Sequence, residues 1–229
     1  MKEVLEEMFP GVVFEKYCKI YPNVTIGEGS HIADFCVIGI PPRKSKPGDL
    51  PTEIGKNAIL RPFTTIYAGN RIGDRLQTGQ GASIRENNVI GDDVSIGTHS
   101  VLEFENRIGN RVRIHSLCFL ELVTIEEDVF IAPGVIFTDD PHPMCPRYKD
   151  CLGGAKVEAR AKIGAQSTIL PGVTIGRSAL VSAGSLVTKD VPPDTVVAGH
   201  PARVVKKIED LVCPPGFFER PYVWEKENS

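Results

Sequence analysis

One feature restricts the fold of this chain more than any other: an aliphatic residue returns every six positions. From Ile54 the step reads Ile54, Leu60, Ile66, Ile72, Thr78, Ile84, Ile90, Ile96, Leu102, Ile108 and Ile114, and ten of these eleven are aliphatic. Val157, Ile163, Ile169, Ile175, Val181 and Val187 keep the same step, and Ile20, Ile26, Ile32 and Ile38 open it. A period of six fits neither the helical repeat of about 3.6 nor the two-residue alternation of an ordinary half-buried strand. An α/β fold would need helical periodicity between its strands, and almost none is present.

The residue after each aliphatic is often Gly followed by a polar residue, as in IGDR, IGDD, IGTH, IGNR, IGAQ and IGRS, and small residues such as Ser100, Ser167, Ala179 and Ser185 follow four places on. These observations describe a short strand and a corner in each hexad, with the aliphatic inward and the small residue completing a narrow core. Three hexads then close a triangular coil, and coils stack at the spacing of paired strands, about 4.8 Å. Composition agrees: 22 Gly and 18 Pro beside only 7% aromatic residues suit tight turns and thin side-chain layers.

Three segments leave the step. Residues 40–53 (IPPRKSKPGDLPTE) read as a loop excursion. Between Ile114 and Ile125 the spacing is eleven rather than twelve, a one-residue deletion at the corner near Leu120 to Thr124. Residues 139–156 (DDPHPMCPRYKDCLGGAK) are too rich in Pro for a buried backbone and should project from the coil. The division expected is a coil domain over 1–200 and, over 201–229, a capping helix and tail, because VVKKIEDL spaces its apolar residues as one short helix.

This pattern resembles the left-handed parallel β-helix of the hexapeptide-repeat family, and the handedness is taken from that resemblance. The segment ILPGVTIGRSALVSAGSLVTKDVPPDTVVAGHPARVV, Ile169 to Val205, is similar to the C-terminal signature of hexapeptide-repeat acyltransferases that use acetyl-CoA or a related thioester, with GHPAR at Gly199–Arg203 its most specific piece. TGQGASIRENNVIGDDVSIGTHSVLE and VFIAPGVIFTDDPHPMCPRYKDC look most like bacterial N-acyltransferases acting on amino sugars carried by nucleoside diphosphates. The resemblance implies a homotrimer that passes an acyl group from acyl-CoA to a sugar amine by direct attack, in a pathway to surface polysaccharide. An O-acetyltransferase on a small hydroxyl acceptor remains the alternative.

For the donor, Ser182, Ala183 and Gly184 are small corner residues whose backbone groups could hydrogen-bond a pantetheine arm, and Arg203, Lys206 and Lys207 are candidates for the CoA phosphates. Acyl transfer also needs a proton acceptor, and histidine suits neutral pH. By the 18-residue coil repeat, Gly79 and Gly97 fall in the column below His115, which suggests an outward recess beside Gln80, Thr98 and Ser116. His115 is the candidate base, with Ser116, His99 and the corner around Glu121 as second choices. Arg85 facing Glu103 one coil away reads as a surface ion pair of small worth.

His142, Cys145 and Cys151 of the projecting segment and Cys213 beyond it have the donor types of a structural zinc site. Cys18, Cys36 and Cys118 read as core residues. A zinc lyase resembling the γ-type carbonic anhydrases is disfavoured because no two of the five histidines lie five apart. A non-catalytic β-helical scaffold is the remaining rival. With 26 basic against 29 acidic residues, nothing attracts nucleic acid in bulk, and no apolar run is long enough to span a membrane. Sparse cysteines and the lack of a leader-like start make a cytoplasmic chain the expectation.

Overall fold

Each hexad forms a two-residue strand and a four-residue corner, as in Ser95–Ile96, Gly97 to Ser100, then Val101–Leu102. In this computed structural model, which describes residues 2–223, the coil is a left-handed parallel β-helix of about ten turns. Three sheets form its sides: face A with eleven strands, face B with nine and face C with eight. Register follows the repeat, Ser95 pairing with Arg113 and Ile96 with Ile114, eighteen residues on. Ladders such as Leu60, Ile96, Ile114, Ile131, Ile163 and Val181 on face A are therefore stacked and buried.

The one break in the long aliphatic run is accommodated by hydrogen bonding. Thr78 is buried, its hydroxyl 2.8 Å from that of Thr64, and it accepts from Arg61 N at 3.0 Å. At the corner between faces B and C, three buried asparagines make a ladder. Asn88 N donates to Asn70 Oδ1 and Asn106 N to Asn88 Oδ1, each at 2.9 Å, while Asn106 Oδ1 accepts from Val123 N at 3.0 Å. Buried backbone groups at the corners are thus paired by side chains where no strand can reach them.

The shortened corner is present, since Arg107 pairs with Thr124, seventeen residues on. Both excursions occur where the step is lost. The first lies between strands Val37–Ile40 and Thr52–Ile54, and the second between Ile136–Phe137 and Lys156–Val157. The second loop is exposed through most of residues 141–151 and holds only a single turn of 3₁₀ helix, Tyr148–Asp150. Its neck closes where Gly153 N donates to Asp139 O at 3.0 Å.

The ends differ from expectation. A helix, Lys2–Met8, caps the first coil, with Leu5 packed on the core. At the other end VVKKIEDL is not a helix. Strand Ala202–Lys207 turns back antiparallel on Thr195–Gly199, and only Ile208–Asp210 is helical, as 3₁₀. The last parallel strand presents unpaired N–H and C=O groups, and satisfying them with a returning strand prevails over a weak helical spacing that includes the β-branched pair Val204 and Val205. The boundary placed at 200/201 falls in the turn of this hairpin.

Candidate active site

The corner between faces A and B collects most of the candidate residues on one edge. His99 follows strand Ser95–Ile96, His115 and Ser116 follow Arg113–Ile114, and Ser182, Ala183 and Gly184 follow Leu180–Val181. Face A orders these strands with Phe130–Ile131 and Lys162–Ile163 between the last two, so His115 lies three coil spacings, about 14 Å, below Ser182. Both histidines are exposed, and the His115 ring lies 4.9 Å from that of Phe130.

The backbone of this edge carries the longest series of outward amides without a side-chain cap. At the edge between faces C and A, three successive second-corner amides are capped from the next coil, Lys56 N donating to Asp74 Oδ1, Asp74 N to Asp92 Oδ1 and Asp92 N to Asn110 Oδ1 at 2.7 to 2.8 Å, while those of Asn110 and Glu127 have no acceptor among the described residues. On the A/B edge Lys16 N and Asp34 N are capped, by Asp34 and Glu15 at 2.6 and 3.1 Å, but the equivalent amides at Gln80, Thr98, Ser116, Ala165 and Ala183 have no acceptor among the described residues, and Pro133 has no N–H. Glu86 and Phe104 on the B/C edge share the feature over a shorter run. A column of outward N–H donors is suited to ligand carbonyls or to a developing oxyanion.

Within the donor triplet only Ala183 offers its amide. Ser182 N donates to Val197 O at 2.9 Å and Gly184 N to Ala165 O at 2.8 Å, so both are committed to stacking. Gly184 does supply space: a Cβ there would meet nothing within 4 Å. Arg203 pairs across the hairpin with Ala198, near the A/B edge, and lines a hollow of about 220 Å³ at the end of the stack with Lys189 and Asp190. Lys206 and Lys207 pair with Val196 and Thr195, at the far end of the hairpin. Arg203 thus sits at the end of the hairpin that reaches the A/B edge, and both lysines at its other end.

Three expectations are corrected. The column Gly79, Gly97 is not a recess, because a Cβ on Gly79 would collide with Thr98 N and one on Gly97 with His115 C. These glycines let successive coils approach. The zinc set is not assembled: among the described residues no three His, Cys, Asp or Glu are placed to hold a metal. His142 and Cys151 are exposed on the loop and Cys145 and Cys213 partly so, with the loop held by its own turns, such as Cys145 N to His142 O at 3.1 Å. The donor set therefore does not fit the ion. Cys18, Cys36 and Cys118 are core residues as expected, and burial pushes the Cys36 thiol up to about 12.

The Arg85–Glu103 pair is also more than a surface contact. Arg85 Nη1 donates to Glu103 at 2.9 Å and Nε to Glu86 at 2.8 Å, and the three side chains are only 30%, 20% and 16% exposed. One coil on, burial, Asp139 and Glu103 together raise the Glu121 carboxyl from 4.5 to about 7. This acidic corner lies below the neck of the projecting loop, at the opposite end of face B from His115.

Comparison with known proteins places the repeat. The model described as bacterial transferase hexapeptide (six repeats) matches residues 8–39, and that of the hexapeptide repeat of succinyl-transferase matches 154–189. Galactoside O-acetyltransferase of Escherichia coli is 39% identical over 92 residues, 38% of this chain and 45% of that protein. A 2,3,4,5-tetrahydropyridine-2,6-dicarboxylate N-acetyltransferase of Staphylococcus aureus is 49% identical over 55 residues, 24% of this chain and 23% of that protein. The chain thus spans less than half the length of these two relatives. The structure of a UDP-N-acetylglucosamine acyltransferase from Campylobacter jejuni superposes with a TM-score of 0.52 at 16% identity, over 86% of this chain and 73% of that one, a likeness of fold. Two stretches of the chain thus match hexapeptide-repeat models, and the coil runs continuously between them.

Proposed function

We propose that the chain is an acyltransferase that moves an acetyl or related acyl group from acyl-CoA to the amino group of a nucleotide-linked amino sugar, working in the cytoplasm as a homotrimer. The observation that carries this reading is the A/B edge, where the uncapped amides of Gln80, Thr98, Ser116, Ala165 and Ala183, interrupted only at Pro133, stand beside His99 and His115. The edge suits a thin donor: Ala183 N–H meets a pantetheine carbonyl, Gly184 leaves room, and Arg203 faces the phosphates. His115 accepts the proton lost as the nitrogen bonds to the acyl carbon and the carbon–sulfur bond breaks, and Ser116 N–H receives charge growing on the acyl oxygen. The thiols of Cys18, Cys36 and Cys118 are buried, and Cys145 and Cys151 belong to the loop that leaves at the B/C corner, so none of these five stands on the A/B edge as a nucleophile, which favours direct attack.

A second reading, O-acetylation of a hydroxyl acceptor, is favoured by the similarity to the galactoside O-acetyltransferase. One assay separates the two: CoA release, followed with a thiol reagent, from acetyl-CoA mixed with a panel of amino-sugar nucleotides and of simple glycosides. Turnover with the amino-sugar nucleotides alone is expected. Turnover with glycosides alone replaces this reading with the second, and release from neither panel removes both.

A further inference from the structure

Face A carries a cavity of about 1070 Å³ on its outer side, next to the candidate base. Its floor is the outward column Arg113, Phe130, Lys162 and Leu180, residues that alternate with the buried ladder. Tyr222, from the segment beyond the terminal hairpin, closes one side with its ring 4.2 Å from the Lys162 ammonium. Phe130 is 37% exposed and forms the wall shared with His115. The volume is that of a site for a small organic molecule.

The charge in this cavity is specific. Its two acids among the described residues are paired with bidentate arginines, Asp93 with Arg75 at 2.6 and 2.7 Å and Asp128 with Arg111 at 2.6 and 2.8 Å. Arg160 and Lys162 also line it, and Arg113 makes no ion pair among the described residues. Cations beside two aromatic rings match a ligand that joins phosphates to a planar ring system.

We propose that this cavity binds the nucleoside diphosphate half of the acceptor, with Arg113 on the phosphates, Phe130 and Tyr222 against the base, and the sugar directed past Phe130 toward His115. The proposal rests on the acceptor reading above and gives it a location. It also separates the acceptor's phosphates from those of the donor, which belong to the A/B edge and Arg203.

The test is calorimetric titration of the full-length protein with UDP, repeated with ADP, GDP, CDP and dTDP, with and without saturating CoA. A diphosphate should bind in both conditions, and Arg113→Ala should weaken it about tenfold or more, as expected for loss of a charged hydrogen bond to phosphate. Arg113→Lys should recover part of that loss. Because Arg113 points outward, an unchanged melting temperature checks that the variant is folded. Absence of binding by all five diphosphates, full displacement by CoA, or unchanged affinity in Arg113→Ala each overturns the proposal. Its failure is distinct from that of the acceptor reading: diphosphate binding that depends on Arg113 without turnover of any amino-sugar nucleotide removes the reaction and keeps the site. Turnover with an acceptor KM unchanged in Arg113→Ala does the reverse.

Discussion

Replacing Asn106 with Ala tests how the corners are held. The Asn106 amide donates to Glu103 O and to Asn88 Oδ1, each at 2.8 Å, and its oxygen accepts from Val123 N at 3.0 Å. Among the described residues no other group bonds Glu103 O or Val123 N. Truncation therefore orphans one carbonyl and one N–H in the interior, at about 1–3 kcal/mol each, besides leaving a small void. The expected destabilisation is about 3–5 kcal/mol. Urea unfolding at matched m-values measures it, with Asn110→Ala as the control, since Asn110 caps only the exposed Asp92 amide and its loss should cost about 1 kcal/mol or less. A loss below about 1 kcal/mol for Asn106→Ala would refute the ladder argument.

The remaining expectations concern the candidate sites. Glu121 keeps its proton to about pH 7 in the folded chain against 4.5 ordinarily, so its stabilising contribution is complete below pH 4.5 and is lost as pH rises through 7. Glu121→Gln, which mimics the protonated form, should match wild type at pH 4 and exceed it by about 1–3 kcal/mol at pH 8 in chemical unfolding; parallel curves would contradict this. Gly97→Ala should cost about 1–3 kcal/mol by forcing the His115 corner outward, and a neutral result in thermal unfolding would restore the recess reading. His115→Ala should lower turnover about 100-fold at unchanged melting temperature, and a change below about threefold would reject the base.

The coil was legible because its geometry imposes the six-residue step directly: Ile96 and Ile114 must stack whatever the rest of the sequence does. The terminal hairpin was not, because Val204 and Val205 owe their conformation to the edge of Thr195–Gly199 and not to their neighbours in sequence. The zinc reading failed similarly, since matching donor types says nothing of whether a loop and a tail converge. The glycine column was misread because in a stacked coil a missing Cβ makes room for the next backbone as readily as for a ligand. The uncapped edge did leave a signal in the sequence. Asp74, Asp92 and Asn110 recur every eighteen residues and cap one edge, whereas Gln80, Thr98 and Ser116 occupy the same positions on the other.

The central claim is that the donor lies along the A/B edge, and hydrogen exchange with and without acetyl-CoA measures this without requiring an acceptor. Slowed exchange confined to the corners at 116, 165 and 183 and to the turn of the terminal hairpin is the expected result. Protection centred on the Glu86 and Phe104 corners, or none at saturating acetyl-CoA, would contradict it.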